Sequence, residues 1–344
     1  MTGSESQSWL ALDVGGANLK AAHSRGPARS MPFELWKQPE QLPRMLANLA
    51  HAMPPFDRLA LTMTAELCDC YNTKDEGVRE IVRATLPLTN EENIQVWGID
   101  GRFHPVREIM THPALAAAAN WLALAHIAAR FAADGPAILI DIGTTTTDLI
   151  PLQDRQPVPS GRTDTERLQT SELVYAGIQR TPVCAITPEV QWRGKPTGLC
   201  AELFATTHDV YLILEECQAD PANLRTADGR PATPQAARDR LARMVGADRA
   251  TFLETDAQEL ARALDSALLD RLTKAAKRTM GPDRPPRSAV ISGSGQFLAQ
   301  RLARALLPPG APVVSLASVW GPAASEAACA HALLTLAAEQ PGNP

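Results

Sequence analysis

With 344 residues, 45% of them hydrophobic and 21% charged, the chain has the composition of a soluble globular protein and the length of two ordinary domains. A formal net charge of −5, with lysines and arginines dispersed, gives no electrostatic footing for a nucleic acid or an anionic membrane as partner. Six cysteines without CxxC spacing, behind a polar start that lacks a secretory apolar stretch, point to reduced thiols and a cytoplasmic location.

In chain order, residues 9–13 read as a short apolar strand, 19–24 as its hairpin partner and 28–35 as a third strand. A helix is expected over 40–51, bounded by Pro39 and by Pro54-Pro55. A strand over 58–63, a helix over 75–85 and a strand over 94–97 follow. The Ala-rich stretch 112–131 is interrupted by Asn120, His126 and Arg130, so it reads as one long buried helix rather than a membrane span. Asp134-Gly135-Pro136 is the predicted domain boundary. After it the order restarts with strands over 137–141, 148–152 and 156–158. The region 160–198 is irregular but contains a strand candidate at 182–186. Helices over 236–245 and 256–280 precede a closing unit of strand 288–292, helix 296–307, strand 313–316 and helix 322–338.

Two turns carry the chemistry. The first reads Asp13-Val14-Gly15-Gly16-Ala17-Asn18-Leu19-Lys20 and the second Asp141-Ile142-Gly143-Thr144-Thr145-Thr146-Thr147-Asp148. A phosphate needs backbone N–H donors at close range, and glycine removes the Cβ that would hold it off. Gly15, Gly16 and Asn18 in the first turn, and Gly143, Thr144, Thr145 and Thr146 in the second, are therefore candidate phosphate ligands. Asp13 and Asp141, at the strand ends, suit Mg²⁺ held through water or the orientation of a nucleophile. Lys20 is a candidate counter-charge. A third segment, Gly293-Ser294-Gly295, ends a strand and opens a helix, a setting that favours an anion or a nucleotide ribose.

These three segments, in this order, resemble the phosphate-1, phosphate-2 and adenosine motifs of the actin/sugar-kinase/Hsp70 superfamily. The resemblance implies an α/β fold of two ribonuclease-H-like (actin-like ATPase) domains facing a central cleft. It places an N-terminal domain at 1–135 and a C-terminal one at 136–344, the latter carrying an inserted segment at about 160–250. Ser294 separates two glycines that are adjacent in most ATP-binding members, which loosens the tie to ATP. The segments between narrow the likeness: Thr62-Met63-Thr64-Ala65-Glu66-Leu67-Cys68-Asp69-Cys70-Tyr71, Asn120-Trp121, Gly161-Arg162-Thr163-Asp164-Thr165-Glu166-Arg167, Arg180-Thr181-Pro182 and Ala205-Thr206-Thr207-His208-Asp209. They resemble the hydantoinase/oxoprolinase-like family, in particular its small branch linked to tetrahydromethanopterin-dependent one-carbon transfer and methanofuran biosynthesis.

That branch implies a transferase that joins an aminomethylfuran-methyl diphosphate to γ-glutamyltyramine, or to another tyrosine-derived phenol, and releases pyrophosphate. The diphosphate must be neutralised as it leaves, and a phenol of pKa about 10 must lose its proton. Glu66, Asp69 or Asp148 is a candidate for the base or for holding the furan amine. Arg162, Arg167 and Arg180 are candidates to clamp glutamyl carboxylates. Mg²⁺ is the expected cofactor and ATP the alternative ligand. The expected partners are these small molecules, with neither nucleic acid nor membrane, and a homo-oligomer is compatible with the sequence. Two other readings keep the fold: an ATP-dependent small-molecule kinase, and a nucleotide-binding scaffold without enzymatic activity.

Overall fold

The computed structural model describes residues 7–340. In the first half the elements are β1 (Trp9–Val14), β2 (Asn18–His23), β3 (Ala28–Pro32), α1 (Leu42–His51), β4 (Arg58–Met63), α2 (Lys74–Thr85), β5 (Ile94–Trp97), β6 (Phe103–Pro105), α3 (Val106–Thr111) and α4 (Asn120–Ala129). Every residue of β1 is buried, as suits a central strand. Leu42, Leu46 and Leu49 put the buried stripe of α1 at helical spacing. Thr73 caps α2 by accepting the Glu76 amide at 3.1 Å.

The second half comprises β7 (Pro136–Ile142), β8 (Thr147–Gln153), β9 (Gln156–Pro157), α5 (Asp164–Thr170), β10 (Leu173–Val174), the hairpin β11 (Glu189–Trp192) and β12 (Lys195–Gly198), α6 (Thr207–Ile213), α7 (Pro234–Met244), α8 (Glu254–Met280), β13 (Ser288–Ser292), α9 (Gln296–Leu306), β14 (Val313–Ser315), α10 (Leu316–Trp320), α11 (Pro322–Glu326) and α12 (Ala328–Ala338).

One topology occurs twice. The first sheet has the order β3-β2-β1-β4-β5-β6; β1 pairs antiparallel with β2 and parallel with β4, and β4 runs parallel to β5. The second has the order β10-β8-β7-β13-β14, with β9 also on β8 and β13 parallel to β7. A hairpin followed by crossovers to parallel neighbours is the ribonuclease-H-like arrangement, so the chain is an α/β protein with that unit duplicated. The inserted elements between β10 and β13 add their own apolar residues, among them Tyr211, Phe252, Leu260 and Leu264, to the second core.

The predicted boundary at Gly135 is where β7 begins a new unit, but the division is not one cut. Residues up to Gly135, Leu152–Arg167 and those from Val314 onward group as one unit, and Pro136–Pro151 with Leu168–Val313 as the other. The C-terminal segment joins the first because α12 packs on β1, β2 and α4. Local readings also change. The 112–131 stretch is a 3₁₀ turn, Pro113–Leu115, and then α4, because Ala118 takes a left-handed φ of +50° that no continuous helix allows. Residues 182–186 form a 3₁₀ turn, Val183–Ala185, rather than a strand. The closing helix predicted over 322–338 is broken at Ala327 into α11 and α12, and a further short helix, α10, precedes it.

The second unit is tied internally by a buried ion pair. The Arg240 guanidinium, fully buried, donates to Asp209 at 2.7 Å and to Asp228 at 3.0 Å, while Asp209 closes a capping box with Thr206 at the start of α6. Removing one partner of such a pair strands the other charge in the interior. Arg240→Ala should therefore lower unfolding stability by about 3–5 kcal/mol in urea titration, whereas Arg249→Ala, at the exposed end of the same cluster, should cost far less.

Candidate functional site

Both predicted turns are built on the same hydrogen bonds. The Gly15 amide donates to the Asn18 carbonyl at 3.1 Å, and the Gly143 amide donates to the Thr146 carbonyl at 2.9 Å. The next carbonyl in each turn accepts from a following segment: Leu35 donates to Gly16 at 3.0 Å, while Gln179 and Arg180 donate to Thr144 at 3.0 and 2.9 Å. The strand-end carbonyls correspond too, with Val14 accepting from Thr64 at 3.0 Å and Ile142 from Gly295 at 2.8 Å. The equivalence inferred from two short motifs thus extends to the backbone contacts around them.

In the first unit, Asp13 is the last residue but one of β1 and is 3% exposed. It stands opposite Lys20 on β2 and Thr62 on β4. Burial raises its carboxyl above the ordinary value, against the opposing pull of Lys20 and a hydrogen bond from Asn120 Nδ2 at 3.2 Å. Asn120 is the first residue of α4. The left-handed Ala118 and the restart of the helix two residues later bring it back to β1. An Ala-rich stretch that reads as one helix gives no signal of this, so Asn120 was recognised only as part of a family pattern.

The segment after β4 borders the first turn at both ends. A Cβ on Gly15 would lie 3.8 Å from Thr64 Oγ1, and one on Gly16 would lie 2.8 Å from Cys68 Sγ. Between them, Ala65–Leu67 forms a 3₁₀ turn carrying Glu66, which is 1% exposed with neither carboxylate oxygen hydrogen-bonded among the described residues. Burial pushes its carboxyl up to about 7, reinforced by the charge of Asp164 and opposed by Lys74; the amides of Glu66 and Ala118 oppose the rise without reaching hydrogen-bond geometry. Lys74 and Asp164 pair at 3.4 Å. Gly77 of α2 gives the turn its room, since a Cβ there would meet the Glu66 carbonyl oxygen at 2.5 Å. Asp69, by contrast, is exposed.

Two of the three arginines belong to this same unit. Arg162 donates to the Ile99 carbonyl at 3.0 Å. Arg167 is buried, with its guanidinium 4.0 Å above the Trp121 ring, a cation–π contact. Arg180 is exposed and belongs to the second unit, where its own amide holds Thr144.

In that second unit Asp141, the last residue but one of β7, lies opposite Ser292 on β13, and Asp148 lies on β8 opposite Leu173. Thr144 and Thr145 place their hydroxyls 3.4 Å apart, and the buried Thr147 hydroxyl donates to the Ala176 carbonyl at 2.7 Å. Gly293 has a φ of +87°, and a Cβ there would lie 2.2 Å from the Ile142 carbonyl oxygen and 2.7 Å from Asp141 Oδ1. The Gly293-Ser294-Gly295 loop is therefore packed against the strand end that carries Asp141. Gly177, which the sequence reading did not single out, does the same from the other side: its Cβ would lie 2.5 Å from the Gly143 carbonyl oxygen.

A duplicated ribonuclease-H-like unit, with a carboxylate near the end of each first strand and a glycine turn after it, defines the fold class. The chain belongs to the hydantoinase/oxoprolinase family, whose model matches residues 57–331. It is 34% identical over 290 residues, 83% of this chain and 86% of the relative, to the (4-{4-[2-(gamma-L-glutamylamino)ethyl]phenoxymethyl}furan-2-yl)methanamine synthase of Methanocaldococcus jannaschii. The synthase of the same name from Methanococcus vannielii is 29% identical over 163 residues, 47% of this chain and 72% of that protein. Among solved structures, an archaeal actin homologue aligns over 97% of this chain and 99% of its own at 14% identity and a TM-score of 0.46. No helix among the described residues is long and apolar enough to cross a membrane.

Two outcomes test this geometry. Gly16→Ala should impair turnover because its Cβ meets Cys68 Sγ, and Cys68→Ala in the same chain should restore most of the loss, a coupling of about 1 kcal/mol or more in a double-mutant cycle. Glu66 is a group whose folded-state value lies above its unfolded one, so it favours the fold below about 4.5 and that contribution is lost as pH rises through about 7. Glu66→Gln should therefore gain stability relative to the unaltered protein between pH 5 and pH 8, read from urea midpoints at both.

Proposed function

We propose that the protein is a transferase of methanofuran-type cofactor biosynthesis. It condenses an aminomethylfuran-methyl diphosphate with γ-glutamyltyramine, or a related tyrosine-derived phenol, to form an aryl ether and release pyrophosphate. In this reading it serves tetrahydromethanopterin-linked one-carbon metabolism in the cytoplasm. The observation that carries the reading is the 34% identity over most of both chains to a synthase whose product name contains the phenoxymethyl ether. The paired turns support it independently, because a diphosphate leaving group needs the donors they offer.

Each turn has work in this scheme. The amides of Gly15, Gly16 and Asn18, and those of Gly143 to Thr146 with the threonine hydroxyls, are suited to hold phosphate oxygens. Lys20 adds positive charge beside Asp13. No group of three metal-binding His, Cys, Asp or Glu side chains gathers among the described residues. Mg²⁺ keeps several waters and takes only one or two carboxylates plus substrate phosphates, and Asp13 in the first unit and Asp141 in the second are each suited to hold such an ion. When bound, the ion supplies neutralising charge to the departing pyrophosphate. Asn120 fixes one oxygen of Asp13 and so limits which way the carboxylate turns.

Furan-methyl diphosphate plus γ-glutamyltyramine should yield pyrophosphate and the ether in the presence of Mg²⁺, and chelation by EDTA should stop the reaction. Asp13→Asn and Asp141→Asn should each lower kcat by about 10²-fold or more with the circular dichroism spectrum unchanged. ADP formation from ATP and an alcohol, without pyrophosphate release from the furan, would make the protein a kinase instead. Tight nucleotide binding without turnover of either substrate pair would make it a scaffold.

A further inference from the structure

Glu66 is a buried carboxylate of the first unit whose placement the phosphate-holding scheme leaves unexplained. It is almost completely buried, and both of its oxygens lack hydrogen-bond partners among the described residues. An interior carboxylate without donors is costly, so a fold that keeps one has either protonated it or reserved it for a ligand. Its turn is anchored on the phosphate-holding backbone: Thr64 donates to Val14, and Cys68 lies against Gly16. Gly77 lets α2 approach so closely that the Glu66 backbone has no room to withdraw. The charged groups that face it are Lys74 from α2 and Asp164 from α5, and they are paired with each other rather than with Glu66.

Resting on the transferase reading above, we propose that Glu66 is the general base of the reaction, taking the proton of the acceptor phenol. The phenolic O–H bond breaks, its proton moves to a Glu66 carboxylate oxygen, and the oxygen electron pair forms the new bond to the furan methylene carbon. The bond from that carbon to the diphosphate breaks, and its electron pair leaves with pyrophosphate. The proton on Glu66 then passes to solvent before the next turnover. Asp69 is exposed, and one oxygen of Asp13 is already engaged by Asn120. A base facing a phenol of pKa about 10 works best when its own value lies near the operating pH, and Glu66 at about 7 meets that condition.

The test compares two acceptors, γ-glutamyltyramine and its ring-tetrafluorinated analogue, whose phenol is already ionised at neutral pH and needs no base. With the ordinary acceptor, Glu66→Gln should lower kcat by about 10²–10⁴-fold; with the fluorinated one the loss should be less than about tenfold. A residue that only shapes the site would lose equally with both acceptors, and that result overturns the proposal, as does full activity of Glu66→Gln with the ordinary acceptor. The unaltered enzyme supplies a second readout that does not depend on the variant folding. Its rate with the ordinary acceptor should fall below a pH of about 7, and that acidic limb should shift to lower pH with the fluorinated acceptor. An identical limb with both would overturn the assignment. If the unaltered enzyme releases no pyrophosphate with either acceptor, the transferase reading itself fails, a result distinct from an active enzyme indifferent to Glu66.

Discussion

A strand that passes a carboxylate and folds straight back into a hairpin must close its turn with a backbone bond across very few residues. That constraint governs both units. Gly15 and Gly143 each close the turn with an amide-to-carbonyl bond across three residues, and the carbonyl ahead of each is held by the segment after the neighbouring parallel strand. At Gly15 a Cβ would press on the Asn18 carbonyl oxygen at 2.9 Å. At the second turn the pressure comes from outside, because Gly177 and Gly293 let other backbone come against the strand end. The two turns reach the same open backbone by different routes: Gly-Gly in one, and a single glycine with threonines and two glycine neighbours in the other.

Holding these turns in place demands a rigid frame, and the burial of β1 and of the inner residues of β7 supplies it. The same burial sets the electrostatics. Asp13 is removed from water by the strand that carries it, so its charge depends on Lys20 and Asn120. Glu66 is removed from water by the turn that anchors it, and Lys74 and the nearby amides offset only part of that cost. Burial thus raises both carboxyls, and a side-chain hydrogen bond steadies Asp13 alone of the two.

The repeated strand order and the two turns were legible in the sequence because both rest on local signals: apolar runs, glycine and threonine clusters, and the Gly135-Pro136 break. The boundaries of β5 and β13 were read without error. What escaped depended on distance along the chain. Asn120 reaches Asp13 across 107 positions, and α12 returns to the first sheet from the far end of the sequence. The kink at Ala118 was invisible because alanine favours helix and gives no reason to take a left-handed φ. The burial of Glu66 ran against the expectation that a glutamate faces water.

The left-handed Ala118 and the buried Glu66 share a physical origin. A non-glycine residue with positive φ and a carboxylate without donors both raise the free energy of the folded chain, and such features persist only where the surrounding structure over-determines them. Here they are neighbours, since the Ala118 amide lies close to the Glu66 carboxylate. Straightening the stretch into one helix would relieve Ala118, but it would carry Asn120 away from Asp13 and change the surroundings of Glu66. The strain at Ala118 and the desolvation of Glu66 are thus coupled through a few residues of backbone. A chain selected for stability alone would keep neither, and the sequence rules that describe stable helices fail at the place where the proposed chemistry is concentrated.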